Sequence, residues 1–306
     1  MPDFLLHHYW PSPFAHKVRI ALNMIGAPWT SVEIPRLPPK PLLIPMTAGY
    51  RRTPVVQHGA DIHCDTQNIA RALAEAGYEE ALFPNGRRGL VMALSGWIDQ
   101  AIVELAVRTV ITSAIGTAPP EFINDRGDLY FEPGWSEDSL KAGFGAVILQ
   151  LGAQVEHAER ALETTGYLAG DRPSWADAGL AFSAWFLRGR WDGGANFLSR
   201  YPAIERLEAE LAANAESHDC AMTGLQALAV AREADPSSPT GVHNPACDLS
   251  EGEKVVIRPR AQSSDPDIVG RLRHIDMTRV SIDHESPETG PVAVHLPLAG
   301  YRVSAA

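Results

Sequence analysis

Cysteine is scarce in this chain of 306 residues: Cys64, Cys220 and Cys247 are far apart, odd in number and include no C-x-x-C pair. That argues against a disulfide framework and against a thiolate zinc site. Basic runs are missing too. No stretch of Lys and Arg exceeds the pairs Arg51–Arg52 and Arg87–Arg88, and 26 bases stand against 37 acids, a net charge of −11. Neither nucleic acid nor an anionic membrane is therefore expected as a partner. No apolar run approaches the roughly 18 to 20 residues needed to cross a bilayer. The N-terminus, MPDFLLHHYWPS, has neither the basic start nor the apolar core of a signal peptide. These absences read as a soluble, cytoplasmic protein. A Gly-x-Ser-x-Gly nucleophile elbow, a phosphate-binding glycine loop and an internal repeat are also lacking. With 45% apolar residues, the length is enough for one large domain or two to three ordinary ones.

Charge and pattern divide what is there. Residues 1–80 carry seven bases and seven acids, residues 81–236 twelve and twenty-one, and residues 237–306 seven and nine, so the acidic excess lies in the middle. That middle is helical by period. Leu140, Phe144, Val147, Leu151, Val155, Ala158 and Leu162 form one apolar stripe, and Leu90, Leu94, Trp97, Ala101 and Leu105 form another. Residues 116–134, with Pro119, Pro120 and Pro133, interrupt the helices, and shorter helical patterns follow near 175–188, 201–213 and 218–232.

The first eighty residues read as a small mixed sheet. A strand over Phe4 to Tyr9 precedes a helix with Val18, Ala21, Leu22 and Ile25 on its apolar side, stopped at Gly26. Strands follow at Trp29 to Ile34, at Val55 and Val56, and at Ile62 to Cys64, then a helix at Thr66. Asp235 to Gly241 reads as a linker. Beyond it, Val255 to Ile257, Ile268 to Leu272, Val280 to Ile282, Val292 to Leu296 and Tyr301 to Val303 are β-type runs. The expected division is 1–82, a mixed α/β domain; 86–234, an all-helical domain; and 245–306, a small β-rich module.

Four motifs carry a family resemblance. Ser12-Pro-Phe-Ala-His-Lys-Val-Arg-Ile-Ala-Leu22, Arg52-Thr53-Pro54-Val55-Val56 and Cys64-Asp65-Thr66-Gln-Asn-Ile69 resemble the thioredoxin-like N-terminal domain of glutathione S-transferases. Gly166-Tyr-Leu-Ala-Gly-Asp-Arg-Pro-Ser174-Trp-Ala-Asp177 resembles the buried helix of that family's all-α C-terminal domain. The N-terminal motifs are similar to serine-type members such as the theta, zeta and omega classes. The resemblance covers about residues 4 to 230 and implies an α+β multidomain fold, with the β-rich extension outside it.

The resemblance also implies roles. Ser12, in the turn opening the first helix, is the candidate for stabilising the thiolate of glutathione as co-substrate. A helix N-terminus with an added hydroxyl donor suits a negative sulfur. Ser12 equally suits a plain N-cap. Tyr9 is the reserve catalytic candidate. Serine where some relatives have cysteine excludes a mixed disulfide, and so disfavours a thioredoxin-like reductase. Thr53, before a cis Pro54, is expected to pair its backbone with the cysteinyl part of glutathione. Asp65 and the N-cap Thr66 are expected to take the γ-glutamyl carboxylate, and Lys40, with Arg52 and Arg36 behind it, the glycine carboxylate. Trp10, Phe14, Ile102 and Arg108 are the expected walls of the substrate cleft. Ser174 and Asp177 read as a capping box, a fold determinant. No metal is expected, since His58, His63, Cys64 and Asp65 make no ligand motif, and His274 and His284, flanking Asp276 and Asp283, read as surface residues.

The function implied is a detoxifying transferase, a homodimer that activates glutathione for attack on a small hydrophobic electrophile. Conjugation, dehalogenation, ether cleavage, isomerisation and peroxide reduction all stay open. A second reading is a non-catalytic glutathione-fold protein whose β-module recruits a partner.

Overall fold

The computed structural model describes residues 4–212, 215, 218–260 and 263–306. The chain forms two compact units: Met1–Ala15 with Pro28–Ala72 and His218–Ala306, and His16–Ala27 with Leu73–Ser217.

The first unit is built on one sheet. Its strands are β1 (Phe4–His8), β2 (Trp29–Glu33), β3 (Val55–His58), β4 (Asp61–Cys64), β5 (Ala221–Met222), β6 (Gly241–Val242), β7 (Lys254–Pro259), β8 (Ile268–Ile275), β9 (Arg279–Ser286), β10 (Gly290–Pro297) and β11 (Tyr301–Ala305). They run in the order β11-β7-β8-β9-β10-β4-β3-β1-β2-β5, with β6 pairing β8. Strands β1 and β2 are parallel, and β3 lies antiparallel to both β1 and β4, the thioredoxin-like arrangement. The C-terminal strands, read from the sequence as a module of their own, continue this sheet: β10 pairs parallel with β4, Ala293 opposite Asp61 and His295 opposite His63. They share a core with it. Ile34, Val55, Ile62 and Cys64 pack in one apolar cluster with Val255, Ile257, Leu272, Ile282, Val292 and Val294, every second residue of each strand facing inward as a pleated sheet requires.

A buried polar chain crosses the β9-β10-β4 seam. Ser281 Oγ bonds His295 Nδ1 at 2.7 Å, and His295 Nε2 bonds Asp61 Oδ1 at 3.0 Å. Asp61 Oδ2 accepts the backbone N–H and hydroxyl of Ser237 at 2.9 and 2.8 Å. The stretch after Ala234 is therefore tied to the sheet, not a loose linker. Burial raises the pKa of Asp61, but hydrogen bonds from His295, Ser238 and Ser237 outweigh it and hold the carboxylate below its usual range. Burial lowers that of His295 against the pull of Asp61. The helix Gly224–Arg232, expected with the helical domain, belongs to the sheet unit, with Ala227 packed on Leu5 and Val32.

The second unit is helical. Trp175–Arg190 is its central helix, with Trp175, Ala178, Ala181 and Phe182 at 1% exposure or less. Ser174 and Asp177 form the expected capping box, and Asp177 also accepts the Leu168 N–H at 2.8 Å. Helix Glu137–Thr165 buries Leu140, Leu151, Val155, Ala158 and Leu162, largely the expected stripe.

Three expectations are corrected here. The helical run Arg88–Ser113 buries Val91, Ser95, Ile98, Ile102 and Ala106 and leaves Leu90 exposed, so its inward face is one residue round from the expected stripe. Apolar residues occupy both stripes, and period alone does not choose between them. Among the described residues this run of 26 is also long and apolar enough, by length and composition, to cross a membrane; its buried stripe belongs to the helical core. Residues 116–134, read as an interruption, contain the helix Pro120–Tyr130. Proline at the first helical position starts a helix, because the missing N–H has no intrahelical partner there.

Candidate functional site

Strand pairing gathers the predicted thiol-site residues. His7 lies opposite Val55, and Val55 opposite Cys64. The segments that leave these strands, Tyr9 to Ser12, Thr53–Pro54 and Asp65–Thr66, therefore emerge at the same end of these three strands.

At the end of β1 the chain turns through Trp10-Pro11, and the Ser12 N–H donates to the Tyr9 carbonyl at 3.0 Å. Ser12 Oγ accepts the Ala15 N–H at 3.3 Å and so caps α1 (Pro13–Ile25). The side chain is almost wholly enclosed at 1% exposure. Because the oxygen is the acceptor in this bond, the hydroxyl proton remains to be donated. Trp10 stands edge-on to His8, ring centroids 4.8 Å apart, and Phe14 is half-buried.

Thr53–Pro54 is a cis peptide. Lys40, at 6% exposure, donates to Thr53 Oγ1 at 2.8 Å and the Arg51 carbonyl at 2.9 Å, and its ammonium lies 5.9 Å from the Tyr9 ring centroid. Tyr9, Lys40 and Thr53 are thus one cluster. Arg36 is exposed and lies upstream of it.

Asp65 has a left-handed backbone, φ 72°. Its Oδ1 accepts the Gln67 N–H at 3.0 Å, so Asp65 and not Thr66 caps α2 (Thr66–Leu73); Thr66 is the first helical residue. Aspartate tolerates the left-handed region better than most side chains and accepts from the first turn equally well. Its Oδ2 accepts the Tyr301 hydroxyl at 3.1 Å. Burial, then the Asp65 charge, raises the Tyr301 pKa well above the usual phenol range, which keeps it a donor. Burial also raises the Cys64 thiol, the wrong direction for a nucleophile.

Arg52 is held by Asp265, Nε and Nη2 reaching Oδ2 at 2.9 and 2.6 Å. Tyr301 and Asp265 were missed from sequence: both lie more than 200 residues downstream, in strands or loops with no motif. Among the other predicted residues, Ile102 is fully buried in the helical core and cannot be a wall of a cleft. Arg108, in the same unit, stacks its guanidinium over Phe131 at 4.8 Å. Among the described residues no group of three or more His, Cys, Asp or Glu is arranged to hold a metal ion.

Comparison with known proteins agrees with this fold. Residues 6–80 match the family model described as glutathione S-transferase, N-terminal domain, and residues 141–209 that described as glutathione S-transferase, C-terminal domain. The chain belongs to the glutathione S-transferase family and adds a C-terminal β-rich region to its fold. Glutathione S-transferase U3 of Arabidopsis thaliana is 25% identical over 107 residues, 34% of this chain and 48% of that protein. The match thus spans about half of that relative's length. The probable glutathione S-transferase parA of Nicotiana tabacum is 23% identical over 188 residues, 60% of this chain and 73% of its own. Among solved structures, a GST-like protein from Pseudomonas syringae aligns over 100% of both chains at 28% identity and a TM-score of 0.75. Poplar glutathione transferase F1 covers 71% of this chain and 95% of its own, at 14% identity and a TM-score of 0.54. The C-terminal strands therefore have a counterpart in the bacterial protein.

Proposed function

We propose that this chain binds glutathione where the ends of β1, β3 and β4 meet and activates its thiol through Ser12 for attack on a small hydrophobic electrophile. The observation that carries the reading is the Ser12 turn. A buried hydroxyl caps α1 through its oxygen while its proton stays available, at the end of a helix whose dipole favours an anion. A free thiol has a pKa of about 8.5, and lowering it by about two units requires roughly 2.7 kcal/mol of preferential thiolate stabilisation. A charge-assisted hydrogen bond at a helix N-terminus supplies an energy of that order. The Thr53 backbone then aligns the cysteinyl part of the peptide, and the turn at Asp65 and Thr66 takes its γ-glutamyl end. In this reading the enzyme is a cytoplasmic homodimer acting in detoxification. That the C-terminal strands are built into the sheet and its core supports a scaffold role for them over partner recruitment.

The test is Ser12→Ala, followed by the pKa of bound glutathione and by turnover of a general electrophile. The expected outcome is a rise of about two units in the bound thiol pKa and about a hundredfold loss of kcat/KM, with glutathione still bound. Unchanged thiol pKa and unchanged turnover would refute the assignment.

A further inference from the structure

The loop between β7 and β8 reaches the candidate thiol site with a carboxylate of its own. Asp265 takes Arg52 through two nitrogens at 2.9 and 2.6 Å, and its other oxygen lies 3.6 Å from Arg51 Nε. Arg51 Nη2 also donates to Ser264 Oγ at 2.8 Å, and Ser263 Oγ donates to Asp265 at 2.7 Å. The Asp265 side chain is only 7% exposed. Beside it, Lys40 is engaged by Thr53 Oγ1 and the Arg51 carbonyl. Each of the three cations around Thr53 is thus already held by protein oxygen, two of them by a single carboxylate. On the other flank Tyr301, from the same C-terminal strands, holds Asp65.

An extended peptide paired with the Thr53 backbone must run one of its ends alongside the residues that precede Thr53, which are Arg52 and Arg51. A ligand carboxylate arriving there meets two guanidinia whose charge Asp265 already shares, and it approaches a like charge. An ion pair made under those conditions adds little.

We propose that Asp265 is a specificity-determining residue: by holding Arg51 and Arg52 it removes ionic recognition of the carboxylate at that end of the thiol peptide. The site then accepts γ-glutamylcysteinyl thiols whose far end is neutral as readily as glutathione itself. This rests on the reading of the site as a glutathione site.

Calorimetric titration of the full chain with glutathione and with its glycine ethyl ester tests it, on the unaltered protein and on Asp265→Asn. The unaltered protein is expected to bind acid and ester within about twofold, and Asp265→Asn to prefer the acid by about tenfold, the worth of one charge-assisted contact. A tenfold preference for the acid in the unaltered protein overturns the proposal, whether or not the variant folds. So does an acid-to-ester ratio that Asp265→Asn leaves unchanged while glutathione still binds; the glutathione reading then survives alone. If neither thiol binds the unaltered protein, the glutathione reading fails and this proposal falls with it.

Discussion

The two halves of the sheet are built differently. In β1 to β4 nearly every residue is buried, whichever way its side chain points: β1 and β4 are enclosed along their whole lengths, and β2 is exposed only at Glu33. Strands β7 to β11 alternate or grade into solvent, and β11 is largely exposed. Strands covered on both faces read as continuous apolar or mixed runs, whereas half-wet strands alternate. The enclosed half carries the candidate chemistry at its strand ends, where turns present Ser12, Thr53 and Asp65. The half-wet half reaches back to those turns with Asp265 and Tyr301. What joins them is polar as well as apolar, since the Ser281-His295-Asp61-Ser237 chain lies where β10 pairs with β4.

That contrast can be broken at the seam. Asp61→Ala leaves the buried His295 Nε2 without its acceptor and removes that of the part-buried Ser237 N–H, and is expected to cost about 3 kcal/mol by denaturant titration. A loss below about 0.5 kcal/mol would make the seam purely apolar.

Acid sharpens the comparison next. Burial lowers the pKa of His7 to about 4, against a hydrogen bond to Gln57 that raises it, and lowers His63 well below its usual value. A folded pKa below the unfolded one means the unfolded chain binds the proton first. Stability is therefore full above pH 6.5 and falls as pH drops from 6.5 toward 4, by about 1.4 kcal/mol per pH unit for His7 alone. His7→Gln should make that slope shallower, as read from denaturant midpoints across the range; an unchanged slope would mean that His7 does not stay neutral in the fold.

A smaller effect is expected away from the sheet. Ser174→Ala removes half of the capping box and should lower stability by about 1 kcal/mol, with the bound thiol pKa unmoved. A stable variant without thiol activation would place Ser174 in the chemistry. On the wet face, Arg258→Gln breaks an exposed pair with Asp267 and is expected to leave the unfolding midpoint where it was.

Much of this was legible in residue order. The strands of the last sixty residues were readable because a half-wet strand writes its alternation into the sequence, as buried Val255 and Ile257 do between exposed Lys254 and Arg258. The helix N-termini at Ser12 and Ser174 were readable because caps are local, each acting within three residues; before Thr66–Leu73 the cap is Asp65, one residue ahead of the expected Thr66. The inward face of Arg88–Ser113 was not readable, because two neighbouring stripes are equally apolar. Nor was the state of Lys40, which is drawn inside by Thr53 thirteen residues away.

The sequence by itself determined most of the elements, the thiol-site motifs and the family, because propensity, capping and short spacings are properties of neighbouring residues. Only the tertiary structure decided that the C-terminal strands extend the first sheet and that Asp265 and Tyr301 stand at the candidate site. Strand pairing between Asp61–His63 and Ala293–His295 depends on complementary edges and a shared core brought together across more than 200 residues, and no local pattern records which edge a strand will meet.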